Sequence, residues 1–148
     1  MMNEKIIAFD MDGTFVDLYG VDNWLQMLQN KETTPYEIAK PMYNMNDFNK
    51  ALNRLKAKGF KIAVISWCAK VNDKAYDAKV RKAKKAWLKA YDVPVDEIHI
   101  VKYGTPKAYT IKGNAILVDD EKPNRDKWYR GRTIDATKNI LEELEKIA

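Results

Sequence analysis

The stretch Lys5–Asp17, Lys-Ile-Ile-Ala-Phe-Asp-Met-Asp-Gly-Thr-Phe-Val-Asp, limits the folds open to this chain more than any other. Ile6, Ile7, Ala8 and Phe9 form an unbroken apolar run, the pattern of a strand buried on both faces of a parallel sheet. Asp10 and Asp12 follow at once, and Gly13 lets the chain turn sharply. Two aspartates so placed at a strand end can lean toward one point. Like charges there are costly unless a cation or a proton shares the site. The motif therefore implies a hard divalent ion, acid/base work, or both. An ordinary Asp/Gly turn is the plain alternative. A helix-loop-helix calcium loop fails on spacing, because counting from Asp10 places Phe15 where glycine is needed and Val21 where the closing Glu belongs.

The rest of the chain repeats the strand–helix alternation. Phe60–Ile65 reads as a second buried strand ending at Ser66, Glu97–Val101 as a third, Ala115–Val118 as a fourth running into Asp119-Asp120, and Thr133-Ile134 as a short fifth. Between them lie an amphipathic helix with Phe48, Ala51, Leu52 and Leu55 on one face, which Asn46 or Asp47 would cap, and a long helix from Asn72 to Tyr91. That helix carries Tyr76, Val80, Ala83, Trp87 and Tyr91 on one stripe. Thr105-Pro106 starts a helical turn bearing Lys107, and Pro123 opens another helix. A final helix holds Ile140, Leu141, Leu144 and Ile147. The expected fold is α/β: a Rossmann-like three-layer sandwich with a mostly parallel five-stranded sheet and helices on both faces. In such sheets ligands bind beyond the carboxyl ends of the strands. His99 alternates with Ile98 and Ile100 and reads as a strand residue rather than a catalytic one.

At 148 residues the expectation is one domain spanning 1–148, with a short lid-like insertion at about 18–45. In that insertion Asp22 would cap a short helix with Trp24, Leu25 and Leu28, and Thr34-Pro35 would open a second that Pro41 ends. Its aromatics, Tyr19, Trp24, Tyr36 and Tyr43, would mostly form a small core of their own. Apolar runs of strand length leave no transmembrane helix, and the chain enters its first strand without room for a secretory signal. With Cys68 as the single cysteine, a cytoplasmic location is expected.

The net charge of +5 is local. From Lys70 to Asp92 eight Lys/Arg stand against three Asp, an excess equal to that of the whole chain. Such a helix reads first as a solvated lysine face, and second as a surface for nucleic acid in which Lys82, Lys84 and Lys85 would take part.

The order of these residues resembles the haloacid dehalogenase superfamily of aspartate-nucleophile phosphatases. Asp10-Met11-Asp12-Gly13-Thr14 looks like that family's first motif, Ile65-Ser66 its second, Lys107 its third and Leu117-Val118-Asp119-Asp120 its fourth. Lys102 competes with Lys107 for the third, but Thr105-Pro106-Lys107 reads as a helix start. The resemblance implies a Mg2+-dependent phosphomonoesterase with an aspartyl-phosphate intermediate. Asp10 would be the nucleophile, Asp12 the general acid/base and Lys107 the stabilising cation. Ser66, Gly13, Thr14 and Lys107 would bind phosphate. Asp10, the backbone carbonyl of Asp12 and Asp119 would hold the metal, with Asp120 a supporting or alternative ligand. Asp rather than an apolar residue at position 12 favours phosphoryl over carbon–halogen chemistry, since a departing alkoxide needs a proton.

The short insertion resembles a minimal lid, and the general pattern of the chain has some similarity to 5'(3')-deoxyribonucleotidases, which carry a fuller cap. The expected substrate is a nucleotide or other small phosphorylated metabolite. The alternatives are polynucleotide 3' or 5' ends, and a non-catalytic nucleic-acid-binding module using the basic helix 72–91. No membrane partner is expected, and neither a monomer nor a homo-oligomer is favoured.

Overall fold

The computed structural model describes residues 3–147. Five strands form one sheet in the spatial order β5-β4-β1-β6-β7, with every pairing parallel. They are β1 (Ile6–Phe9), β4 (Lys61–Trp67), β5 (Glu97–Val101), β6 (Ala115–Asp119) and β7 (Thr133–Asp135). β1 sits at the centre, with Phe9 level with Val64 of β4 and Val118 of β6. The chain steps outward on one side of β1, then crosses to the other. Right-handed crossovers in opposite directions put the connections on opposite faces.

The two faces follow from the alternation of side chains along each strand. Ile7, Phe9, Ile62, Val64, Ile116 and Val118 point to one face. There they meet α3 (Met45–Ala57), α4 (Lys74–Ala90) and α6 (Ile140–Ile147) through Phe48, Leu52, Leu55, Trp87, Leu88, Ile140 and Leu144. Each such fully buried side chain contributes about 1.5–3 kcal/mol. Ile6, Ala8, Ala63, Ile65, Ala115 and Leu117 point the other way. This second layer is thin: a 3-10 turn at Lys107–Tyr109, the loop residue Ile111, and Trp128 just beyond α5 (Lys122–Asp126). Small Ala side chains on this face let that short cover come close.

Several helix starts differ from the sequence expectation. The cap of α3 is Asn44, whose side chain accepts from the Asp47 amide at 3.2 Å, so neither Asn46 nor Asp47 caps it. α4 begins at Lys74 with Asp73 as cap, because the Asp73 carboxylate takes the Tyr76 amide at 2.9 Å. α1 (Trp24–Gln29) starts after Asn23, in a left-handed conformation with φ 61°, and not from Asp22. After α2 (Thr34–Ile38), Lys40-Pro41 forms the two-residue strand β3 against β2 (Val16–Asp17).

The inserted segment has no separate aromatic core. Leu18, Leu28 and Tyr36 pack on Cys68, Tyr76, Val80 and Ala83, so it rests on the first half of α4 and the exit of β4. Tyr43 stacks on Phe48 instead, and Tyr19 is 47% exposed. Among the described residues no helix is long and apolar enough to cross a membrane.

Candidate active site

Three parallel strands deliver their carboxyl ends to one place. Asp10 leaves β1 with its amide bonded to the Val118 carbonyl at 2.9 Å, which seats it beside Asp119 at the end of β6. Between the two carboxylates stands Lys107, 5% exposed. Its Nζ donates to Asp10 Oδ1 at 2.8 Å and to Asp119 Oδ2 at 2.7 Å. Burial alone would pull this ammonium down, but the two carboxylates hold its pKa above the ordinary lysine value. Lys102, the competing lysine, is exposed at the end of the third strand. The 3-10 turn anticipated from Thr105-Pro106 is what brings Lys107 inward.

Thr14 is fully buried and donates to Asp10 Oδ2 at 3.0 Å and to Asp120 Oδ1 at 3.3 Å. Its amide bonds Met11, and the Gly13 amide bonds Val16. These two amides close the turn. Gly13 has φ +80°, and a Cβ there would lie 2.5 Å from Asp120 Oδ2 and 2.9 Å from the Tyr19 ring. Only glycine permits so close an approach of this turn to Asp120.

Asp12 meets a residue the motif reading left on the surface. Lys84 of α4 is 1% exposed and donates to Asp12 Oδ2 at 2.8 Å, to Ser66 Oγ at 2.7 Å and to the Trp67 carbonyl at 2.8 Å. Grouping Lys84 with Lys82 and Lys85 as solvated cations is thus corrected: those two are exposed, whereas Lys84 turns into the fold. The pattern carried the signal, since Tyr76, Val80, Lys84 and Leu88 form one i, i+4 row on the buried side of the helix. Burial pushes the Asp12 carboxyl above the usual carboxylate range even though Lys84 opposes it. Ser66 lies within β4, not past its end, and is buried.

Asp10, Asp12 and Lys107 face a cavity of about 320 Å³. Aromatic rings supply much of its wall: Tyr19, Trp24 and Tyr36 from the insertion, Trp67 and Tyr103 from the sheet side. Trp67 and Tyr103 meet edge to face at 5.0 Å, and Trp67 is fixed by its indole N–H to the Thr105 carbonyl at 2.8 Å. Asn124 and Glu121 complete the polar rim. His99 is not part of it and meets Glu97 at 3.1 Å.

Oxygen atoms of Asp10, Asp119 and Asp120 all lie within 4.8 Å of one another, so these three carboxylates could hold a metal ion. Burial, then contact with Asp10 and the charge of Asp119, push the Asp120 carboxyl up to about 8. Burial and Asp10 also raise Asp119. Oxygen-only donors with this crowding of like charge suit a hard divalent cation.

The fold is a parallel α/β sheet with an acidic site at its carboxyl edge. No protein-family model matches the chain, and no curated protein matches it in sequence. The structure is similar to the crystal structure of D,D-heptose 1,7-bisphosphate phosphatase from Burkholderia thailandensis. The TM-score is 0.56 at 12% identity, covering 96% of this chain and 99% of that one. At that identity the likeness is one of fold.

Proposed function

We propose that this chain is a Mg2+-dependent phosphomonoesterase of the haloacid dehalogenase type, acting through an aspartyl-phosphate on a nucleotide or other small phosphorylated metabolite. The observation that carries the reading is Asp10 at the floor of an aromatic-walled cavity, oriented on one oxygen by Lys107 and on the other by Thr14. A carboxylate held from both sides is placed for attack rather than for turn formation.

In this reading an Asp10 oxygen attacks phosphorus and the bond to the leaving oxygen breaks. Asp12, whose raised pKa favours carrying a proton, gives it to that oxygen. Water then attacks the aspartyl-phosphate, Asp12 takes its proton, and Asp10 is released with inorganic phosphate. Lys107 offsets the charge gathered on Asp10 and the phosphoryl group. Asp10, Asp119 and the Asp12 carbonyl would hold Mg2+, with Asp120 beside them. Bound there, the ion supplies charge neutralisation between nucleophile and phosphate.

The cavity is at the small end of the range for metabolite-sized ligands, and its aromatic walls suit a planar or apolar group attached to the phosphate. The neighbour of similar fold is, by name, a phosphatase of a small sugar bisphosphate. Both features put a small phosphorylated molecule ahead of a polynucleotide end. The segment at 18–45 acts as a lid that supplies cavity wall without forming an independent cap.

The test is hydrolysis of an aryl phosphate and of a nucleotide and sugar-phosphate panel, with Mg2+ and with chelator. Asp10→Asn should retain the fold and lose turnover by at least about a thousandfold, as expected for removal of a covalent nucleophile. Turnover that survives this substitution, or that is missing from the wild type across the panel, would remove the reading.

A further inference from the structure

We infer that Lys84 is a positioning residue of this site: it fixes the Asp12 carboxylate so that one oxygen is reserved for proton exchange with the leaving group. The inference rests on the phosphomonoesterase reading above. An ammonium has three N–H donors. Lys84 commits all three, to Asp12 Oδ2, Ser66 Oγ and the Trp67 carbonyl, at 2.7 to 2.8 Å. It therefore has no donor left for a substrate and works only through these partners.

What it does to each follows from the geometry. Asp12 has two oxygens, and Lys84 holds Oδ2, so Oδ1 is the one free to serve the cavity that Asp12 lines. Ser66 receives the Lys84 hydrogen, which leaves its own O–H to donate. The Trp67 carbonyl anchors the lysine to β4, and the Tyr36 ring lies 4.8 Å from Nζ, closing the remaining side with an aromatic face. Four elements thus meet at one nitrogen: the turn after β1, β4, α4 and α2 of the insertion. A lysine so deep in a protein is tolerated only when paired and fully hydrogen-bonded. A lysine on the exposed side of α4, such as Lys85, avoids that cost. Its burial here places a rigid support behind the residue that must aim a proton.

The consequence is a dependence on the leaving group. An alkoxide must be protonated as it departs, whereas p-nitrophenolate leaves as the anion. Lys84→Met, which removes the donors and keeps the volume, should lower kcat for an alkyl phosphate by about 100-fold and for p-nitrophenyl phosphate by less than about 10-fold, within the range for a general acid. Asp12→Asn should show the same split. The double variant should lose little more than Asp12→Asn alone, because the two residues act as one unit.

Equal losses on both esters, or additive losses in the double variant, would overturn the inference while leaving the phosphatase reading in place. A wild type inactive on both esters would remove that reading, and this inference with it. If Lys84→Met does not fold, 15N-lysine spectra of the wild type decide. The Lys84 ammonium protons should exchange slowly and shift in Asp12→Asn. Exchange as fast as that of surface lysines would refute the geometry.

Discussion

Lys107→Met is the most direct probe of how this site holds its charges. The substitution removes two charge-assisted hydrogen bonds, of 2.8 and 2.7 Å, and leaves Asp10 and Asp119 side by side. Asp119 is fully buried and cannot turn to water. Each such bond contributes about 1.5–3 kcal/mol, and breaking a buried ion pair from one side costs about 3–5 kcal/mol. We expect a loss of about 3–5 kcal/mol at pH 8 in metal-free protein, a large part of the roughly 5–15 kcal/mol that keeps a domain folded. The loss has a pH signature. Burial already raises the Asp119 carboxyl, and without Lys107 to oppose that rise its folded-state pKa moves further above the unfolded value. The folded form then binds more protons than the unfolded one, so stability increases as pH falls through that window. Urea unfolding with chelator at pH 8 and pH 5.5 measures both effects. A loss under about 1 kcal/mol at pH 8, against the expectation for a buried pair, would refute the reasoning. So would the same loss at both pH values.

Other expectations follow from single contacts. Gly13→Ala forces a Cβ against Asp120 at φ +80° and should lower the melting temperature and abolish turnover; an unchanged melting curve would contradict the contact. Trp87→Phe removes the buried indole bond to the Ala39 carbonyl at 2.8 Å and should cost about 1–3 kcal/mol in chemical denaturation, while a loss near zero would mean the carbonyl finds another donor. Asp120, with its pKa of about 8, holds its proton in the folded state well above its unfolded value. Metal-free protein should therefore lose stability from about pH 4 toward pH 8, and Mg2+ should raise the melting temperature more at pH 8.5 than at pH 5.5. An Mg2+ effect that shrinks with rising pH would count against these carboxylates as its ligands.

Strand positions were legible because a parallel sheet buries both faces of each strand and leaves unbroken apolar runs. Ile6–Phe9 and Ala115–Val118 stand out for that reason alone, and the structure extends Ala115–Val118 only to Asp119; Glu97–Val101, at the sheet edge, alternates instead. Helix starts were less legible, since Asn44, Asn46 and Asp47 are all good caps by residue type. Which one caps depends on where the preceding loop leaves the backbone extended, and that is at Asn44. The insertion's aromatics misled for a related reason. Their number suggests a core, and Tyr19 and Trp24 do meet edge to face at 4.9 Å, but Tyr36 packs on α4 and all three rings line the cavity, contacts that no local spacing encodes.

The same limit explains Lys84. Its place on the row Tyr76–Val80–Lys84–Leu88 marks it as inward-facing, yet a lysine there makes sense only beside a carboxylate, and Asp12 lies 72 positions earlier in the chain. With both lysines counted, the site has a definite charge balance. Asp10, Asp12, Asp119 and Asp120 face two buried ammonium groups, leaving two negative charges uncompensated. The raised pKa values of Asp12, Asp119 and Asp120 are the protein's own way of meeting that excess, by retaining protons. A divalent cation among Asp10, Asp119 and Asp120 meets it without them, and would free those carboxylates to ionise at neutral pH. Asp12 lies on the other side of the site, where burial raises its carboxyl and Lys84 opposes that rise. The two lysines thus divide the carboxylates between them, Lys107 bridging Asp10 and Asp119, Lys84 holding Asp12.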